Sequence, residues 1–140
     1  MNELLELLKF TRDWSAQPEF CVTTMGELVC EMERYGPTHV IGECNRLHPL
    51  RIIKTLFMAV RIVAKERPDV IVTTGSLPLA LLCAVAKMTG CKVVWIDSIA
   101  NSDQLSMSGS FVRHFADLFL VQWPDLASKY KNAQFVGTIL

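Results

Sequence analysis

Asp97 closes the apolar run KVVWID beside Ser98, and the polar stretch that follows holds Asn101, Ser102, Asp103, Ser106, Ser108 and Gly109. Carboxylate, hydroxyl and amide groups of this kind suit the hydrogen bonding of a sugar or a diphosphate, and one carboxylate could deprotonate a substrate hydroxyl within reach. The same residues read equally well as loop punctuation, with Asp97 holding a turn and Ser106 or Ser108 capping the next helix. A second group is Thr74, Gly75 and Ser76, which end the run DVIVT and open the apolar segment LPLALLCAVAKM. Glycine permits the sharp turn, serine can cap the helix, and Pro78 is tolerated in a first turn that lacks a partner for its N–H. A helix starting there aims free N–H groups at any anion beyond the strand. His39, His48 and His114 share no metal-ligand spacing, and no nucleophilic triad is visible, so neither a metal nor a catalytic residue is assigned.

These groups need elements to position them. Asn2 to about Asp13 reads as a helix, then FCVTT as a strand, GELVCEMER as a helix and THVIGE as a strand. The longest helix runs from Leu50 to Arg67 and is stopped by Pro68. The strand DVIVTT, a helix from Leu77 to Met88 ending at Gly90, and the strand CKVVWID come next. A helix ending near Ala116, the strand DLFLVQW, a short helix from Pro124 to Tyr130 and the strand AQFVG complete the chain. Alternation with short links predicts right-handed crossovers and a parallel sheet covered on both faces, a Rossmann-like α/β domain spanning residues 1–140. In such a domain ligands lie beyond the carboxyl ends of the strands, which gathers Thr74 to Ser76, Asp97 with Ser98, and Gln122 with Trp123 along one rim. The chain opens with a helix where such domains open with a central strand, so the expectation is a sheet without its first strand. That predicts a gap or altered pairing between the strands at Phe20 and Val70.

Fourteen basic residues balance fourteen acidic ones, which argues against a general nucleic-acid binder. The balance is uneven, however, with six basic and two acidic residues between Ile41 and Pro68. Five cysteines without a C-x-x-C pair suggest neither a zinc ribbon nor a disulfide framework, and fit a reducing compartment. No apolar run reaches membrane-spanning length. In the long helix, Arg51, Lys54, Arg61 and Lys65 fall within about 80° of one another, opposite a wide apolar arc. Two readings stand: a core helix with a solvated basic face, or an interfacial helix whose cations meet anionic lipid. Trp123 at a strand end, with the apolar terminus GTIL, suits either a local core or a partner surface.

The segments PDVIVTTGS, KVVWIDSIA, LSMSGS and ADLFLVQWPDLASKYKNAQFVGTIL together resemble the acceptor-side, membrane-associated subunit of two-component glycosyltransferases. That family includes the eukaryotic subunit for the second sugar on dolichol-diphosphate oligosaccharide and bacterial PssD-like and CpsF-like proteins. The resemblance implies the N-terminal half of a GT-B glycosyltransferase split over two chains, inactive alone and needing no cofactor or metal. A separate subunit would bind the UDP-sugar (carrying GlcNAc, glucuronate or a hexose), and the pair would transfer the sugar to a polyprenyl-diphosphate-linked acceptor. The chain would sit peripherally on the cytoplasmic face of a membrane through Arg51, Lys54, Arg61 and Lys65. Thr74, Gly75, Ser76, Asp97, Ser98, Ser106 and Ser108 would face the acceptor diphosphate. Gln122, Trp123 and Leu140 would face the partner. Members of the family begin with a strand and a glycine-glycine-histidine turn, which this sequence does not contain. The alternatives are a non-enzymatic membrane scaffold for the partner and a soluble nucleotide- or phosphate-binding domain.

Overall fold

The computed structural model describes residues 3–139. Its helices are α1 (Glu3–Lys9), α2 (Val29–Met32), α3 (Pro49–Glu66), α4 (Leu77–Met88), α5 (Met107–Val112) and α6 (Pro124–Lys129). Its strands are β1 (Cys21–Thr23), β2 (Thr38–Val40), β3 (Val70–Thr73), β4 (Lys92–Ile96), β5 (Leu118–Val121) and β6 (Ala133–Phe135). All the described pairings are parallel, as the alternation predicts, because each of β1 to β5 is followed by a helix that returns the chain to the same end of the strands.

The six strands form two separate sheets, β1-β2 and β3-β4-β5-β6. The predicted break between the strands at Phe20 and Val70 is therefore present. A cleft of about 440 Å³ separates β1 from β3 and is walled by Leu4, Leu7 and Leu8 of α1 on one side and Leu79 and Leu82 of α4 on the other.

The larger core lies on the four-stranded sheet, where fully buried Val93, Trp95, Phe119 and Val121 meet Ala80 and Cys83 of α4, Val112 of α5 and Leu126 of α6. Burial pushes the Cys83 thiol up to about 12, leaving it an inert packing group. A second core joins α3 to α4 through Ala59, Ile62, Val63, Leu82 and Ala86. Small residues at Ala59 and Ala86 permit this close approach, which is the most extensive helix pairing in the domain. A third, smaller core under α1 contains Leu8, Cys21 and Met32.

One carboxylate fastens the amino-terminal end of the larger sheet. Asp117 accepts hydrogen bonds from Lys87 Nζ at 2.8 Å and from the Val93 backbone N–H at 2.8 Å, joining the end of α4 to the start of β4. Those two bonds, the lysine's first, hold its carboxyl down from 3.8 to about 2.

The segment GELVCEMER departs from the expected helix. It divides into a 3-10 turn at Gly26–Leu28 and the single α turn of α2, where only Met32 is buried. One buried residue gives little packing to offset the cost of helix nucleation.

Candidate functional site

The carboxyl ends of β3, β4 and β5 lie side by side, so Thr74 to Ser76, Asp97 with Ser98, and Gln122 with Trp123 do form one rim. At β3 the Thr73 Oγ1 accepts the Gly75 N–H at 3.2 Å, and Gly75 takes a φ of 98°. A Cβ on Gly75 would stand 3.0 Å from Trp95 Cζ2, so both the turn and the underlying indole demand glycine. Ser76 caps α4 by accepting the Leu79 N–H, and Pro78 occupies the first turn. Thr74 and Ser108 make no side-chain hydrogen bond among the described residues, which leaves both hydroxyls open to a ligand.

Asp97 differs. Its side chain is buried and already accepts from Trp95 Nε1 at 3.2 Å, Ser106 Oγ at 2.6 Å and the Ser106 N–H at 3.0 Å. Ser106 Oγ in turn accepts the Gly109 N–H at 2.8 Å as the cap of α5. The loop 98–105 is thus clamped shut on Asp97, and Gly109 is packed so closely that a Cβ would fall 2.5 Å from Asp97 Oδ1. Asp97 and Ser106 thus hold the loop in place through these bonds.

Gln122 is likewise engaged inside the domain. It is buried, donates from Nε2 to the Asp97 carbonyl at 3.0 Å and accepts the Ile139 N–H on Oε1 at 3.0 Å. It ties the ends of β4 and β5 to the C-terminal segment and offers no surface to a partner. Trp123 keeps part of its ring exposed while its Nε1 donates to the Ile99 carbonyl at 2.7 Å, so it remains an interface candidate. Leu140 lies outside the described residues.

Sequence reasoning missed Glu3. Although it is a charged residue in a first helical turn, it is buried, and its Oε1 accepts from Ser98 Oγ and from the Ile99 N–H, each at 3.0 Å. This fixes α1 at the rim and occupies the Ser98 hydroxyl. Its partners lie 95 and 96 residues away, beyond any local pattern.

The long helix presents three faces, not two. Thr55, Ala59, Ile62 and Val63 are buried, while Arg51, Lys54, Arg61 and Lys65 are exposed as expected. Between them the apolar arc is only half used by the core. Leu50, Ile53, Phe57 and Val60, spaced three and four apart, form an exposed ridge, with Phe57 69% and Ile53 63% accessible. Leu47 extends it before the helix. Arg46 Nη2 donates to the Met107 sulfur at 2.6 Å, bringing exposed Met107 and Phe111 of α5 near its beginning. Exposed apolar residues beside cations are compatible with an interfacial surface as well as with a solvated face. No described helix is long and apolar enough to cross a membrane.

A parallel α/β domain with a rim at the strand carboxyl ends is the architecture of one half of a GT-B glycosyltransferase. The fold superposes on MurG of Acinetobacter baumannii with a TM-score of 0.75 and 15% identity, covering 96% of this chain and 41% of MurG. The chain belongs to the Alg14 family, described as oligosaccharide biosynthesis protein Alg14 like, which matches residues 30–139. The UDP-N-acetylglucosamine transferase subunit alg14 of Schizosaccharomyces pombe is 43% identical over 77 residues, 51% of this chain and 37% of that protein. The Yarrowia lipolytica ALG14 subunit is 36% identical across 59% of this chain and 41% of its own length. The Debaryomyces hansenii subunit is 29% identical across 97% and 67%. The first two matches thus span about two fifths of the relatives' length.

Proposed function

We propose that this chain is the acceptor-side, membrane-docked subunit of a two-chain glycosyltransferase. It passes N-acetylglucosamine from UDP-N-acetylglucosamine to a polyprenyl-diphosphate-linked glycan at the cytoplasmic membrane surface. The observation that carries this reading is the outer face of α3, where an apolar ridge and four cations lie together on a GT-B-like domain of the Alg14 family. In this reading α3 rests on the lipid, and the rim at Thr74, Gly75, Ser76 and Ser108 meets the acceptor diphosphate. The N-terminus of α4 adds a partial positive charge to that rim, suited to a diphosphate. Trp123 faces the UDP-sugar-binding subunit. Catalysis is then transfer by an acceptor hydroxyl, with the two chains contributing positioning and stabilisation of the departing diphosphate.

The scaffold alternative draws on one observation, the internal use of Asp97, which removes a candidate general base from the rim. One experiment separates the two. Labelled sugar transfer from UDP-N-acetylglucosamine to a polyprenyl-diphosphate acceptor is measured with this chain, a catalytic-subunit candidate, and both. Transfer by the pair alone, lost in Ser76→Trp without loss of pairing, supports acceptor binding by this chain. Transfer by the pair that survives blocking the rim supports the scaffold.

A further inference from the structure

Thr74 and Ser108 offer open hydroxyls to a diphosphate but no charge, and two buried carboxylates, Glu3 and Asp97, bond the loop that joins β4 to α5. An anion at this rim needs a cation to offset them. Arg46 lies in the link between β2 and α3, and its Nη2 donates to the Met107 sulfur at 2.6 Å, one residue before Ser108. A thioether is a weak acceptor, and among the described residues the guanidinium has no carboxylate partner. The rest of its planar fork is free for a pair of anionic oxygens. Its surroundings are apolar. Leu47 follows it in the chain and Leu50 stands in the first turn of α3, 84% and 80% exposed. Met107 and Phe111, one turn apart on α5, are 59% and 51% exposed. Phe115 meets Phe111 edge to face, with ring centroids 5.4 Å apart, and steadies that ring.

We propose, resting on the acceptor-side reading above, that Arg46 with Leu47, Leu50, Met107 and Phe111 binds the junction of an isoprenoid diphosphate, where the charged head group meets the hydrocarbon tail. The guanidinium clamps the diphosphate oxygens beside Ser108, and the four apolar side chains receive the first isoprene units. Two observations select this occupant. A soluble phosphate engages the guanidinium alone, whereas an amphiphile engages both the cation and the apolar groups flanking it on α3 and α5. Leu50 also belongs to the ridge of Ile53, Phe57 and Val60, so the apolar path from the rim is continuous with the outer face of α3. Arg46 is then a specificity residue, and the site selects its ligand by head group and tail together.

The test is calorimetric titration of the full chain with farnesyl diphosphate, kept below its micelle-forming concentration, and with inorganic diphosphate. Farnesyl diphosphate should bind about tenfold or more tighter than inorganic diphosphate, because only it buries the apolar side chains. Arg46→Gln should weaken both ligands about tenfold or more, with partial recovery in Arg46→Lys, which keeps the charge but not the fork. Met107→Ser with Phe111→Ser should lower farnesyl diphosphate to the level of inorganic diphosphate. These side chains are exposed, so circular dichroism should report an unchanged fold, and Arg34→Gln, an exposed arginine ahead of β2, should bind as the parent does. Four results would overturn the proposal: no binding of farnesyl diphosphate, equal affinity for the two diphosphates, undiminished binding in Arg46→Gln, and displacement by equimolar soluble short-chain phosphatidylserine. The last would make the site a general contact for anionic lipid. The readout needs no sugar transfer, so absence of transfer by the pair while Arg46-dependent binding persists would refute the enzyme reading and leave this site standing.

Discussion

Removing the charges from α3 while leaving its apolar ridge intact separates electrostatic from hydrophobic docking. The variant carries Arg51→Gln, Lys54→Gln, Arg61→Gln and Lys65→Gln. All four side chains are exposed, and among the described residues only Lys65 has an ion-pair partner, Glu66 at a loose 3.9 Å, so folding should be unaffected. At about 1 kcal/mol per cation near an anionic surface, the loss is about 4 kcal/mol. That is roughly a 700-fold fall in vesicle partition coefficient at low salt. The complementary variant, Ile53→Ser, Phe57→Ser and Val60→Ser, removes side chains that are 63%, 69% and 49% exposed. At about 2 kcal/mol for complete burial of each, scaled by that exposure, it loses about 3.5 kcal/mol, or roughly 300-fold. Co-sedimentation with phosphatidylserine-containing vesicles measures both. Near 1 M salt, where the Debye length shrinks to about 3 Å, the charge variant should converge on the parent and the apolar variant should not. Unchanged pelleting of both variants at low salt, with circular dichroism confirming the fold, would refute α3 as the docking surface.

Two stability outcomes follow from bonds inside the domain. Asp97→Asn exchanges an acceptor for a donor against Ser106 and the Trp95 indole, and should cost about 2–4 kcal/mol in urea unfolding, given about 1–3 kcal/mol for each buried group left unpaired. Increased exchange at residues 105–109 should accompany it. Asp117→Asn tests linkage. Because the folded carboxyl is held near 2, below its ordinary 3.8, its stabilisation is complete above about pH 4 and disappears as the pH falls through 2. The variant should therefore be about 1 kcal/mol less stable at pH 7, after allowance for solvent screening, and equal to the parent below pH 2. A pH-independent difference would contradict that account.

How much of this was legible depended on whether the cause lay within a short stretch of chain. Strands β3, β4 and β5 announce themselves in DVIVTT, KVVWID and DLFLVQW because a strand buried on both faces needs an unbroken apolar run. The cleft was foreseeable because six strands in a parallel order place a helix, α1, before any central strand. The ridge on α3 was not. Helical periodicity shows that Ile53, Phe57 and Val60 lie on an apolar arc, but not that the narrow contact with α4 covers only part of it. Asp97 and Gln122 defeat sequence reading for another reason. A carboxylate or amide at a strand end has the same appearance whether it awaits a ligand or is already bonded to Trp95, Ser106 or Ile139. Glu3 adds long sequence separation to that ambiguity.

The direction of α3 sets the working geometry of the rim. The helix starts just beyond the carboxyl end of β2 and finishes where β3 begins, so it runs antiparallel to the strands along about 27 Å. With its outer ridge resting on lipid, the strands lie along the bilayer plane and the rim opens sideways, with Leu47 and Leu50 at the end of α3 nearest to it. On the proposed function, an acceptor tethered by its polyprenyl chain would then arrive by two-dimensional diffusion without leaving the bilayer. The quantity governing its encounter with the rim is its number per unit of membrane area, and diluting the vesicles at fixed lipid composition leaves that quantity unchanged.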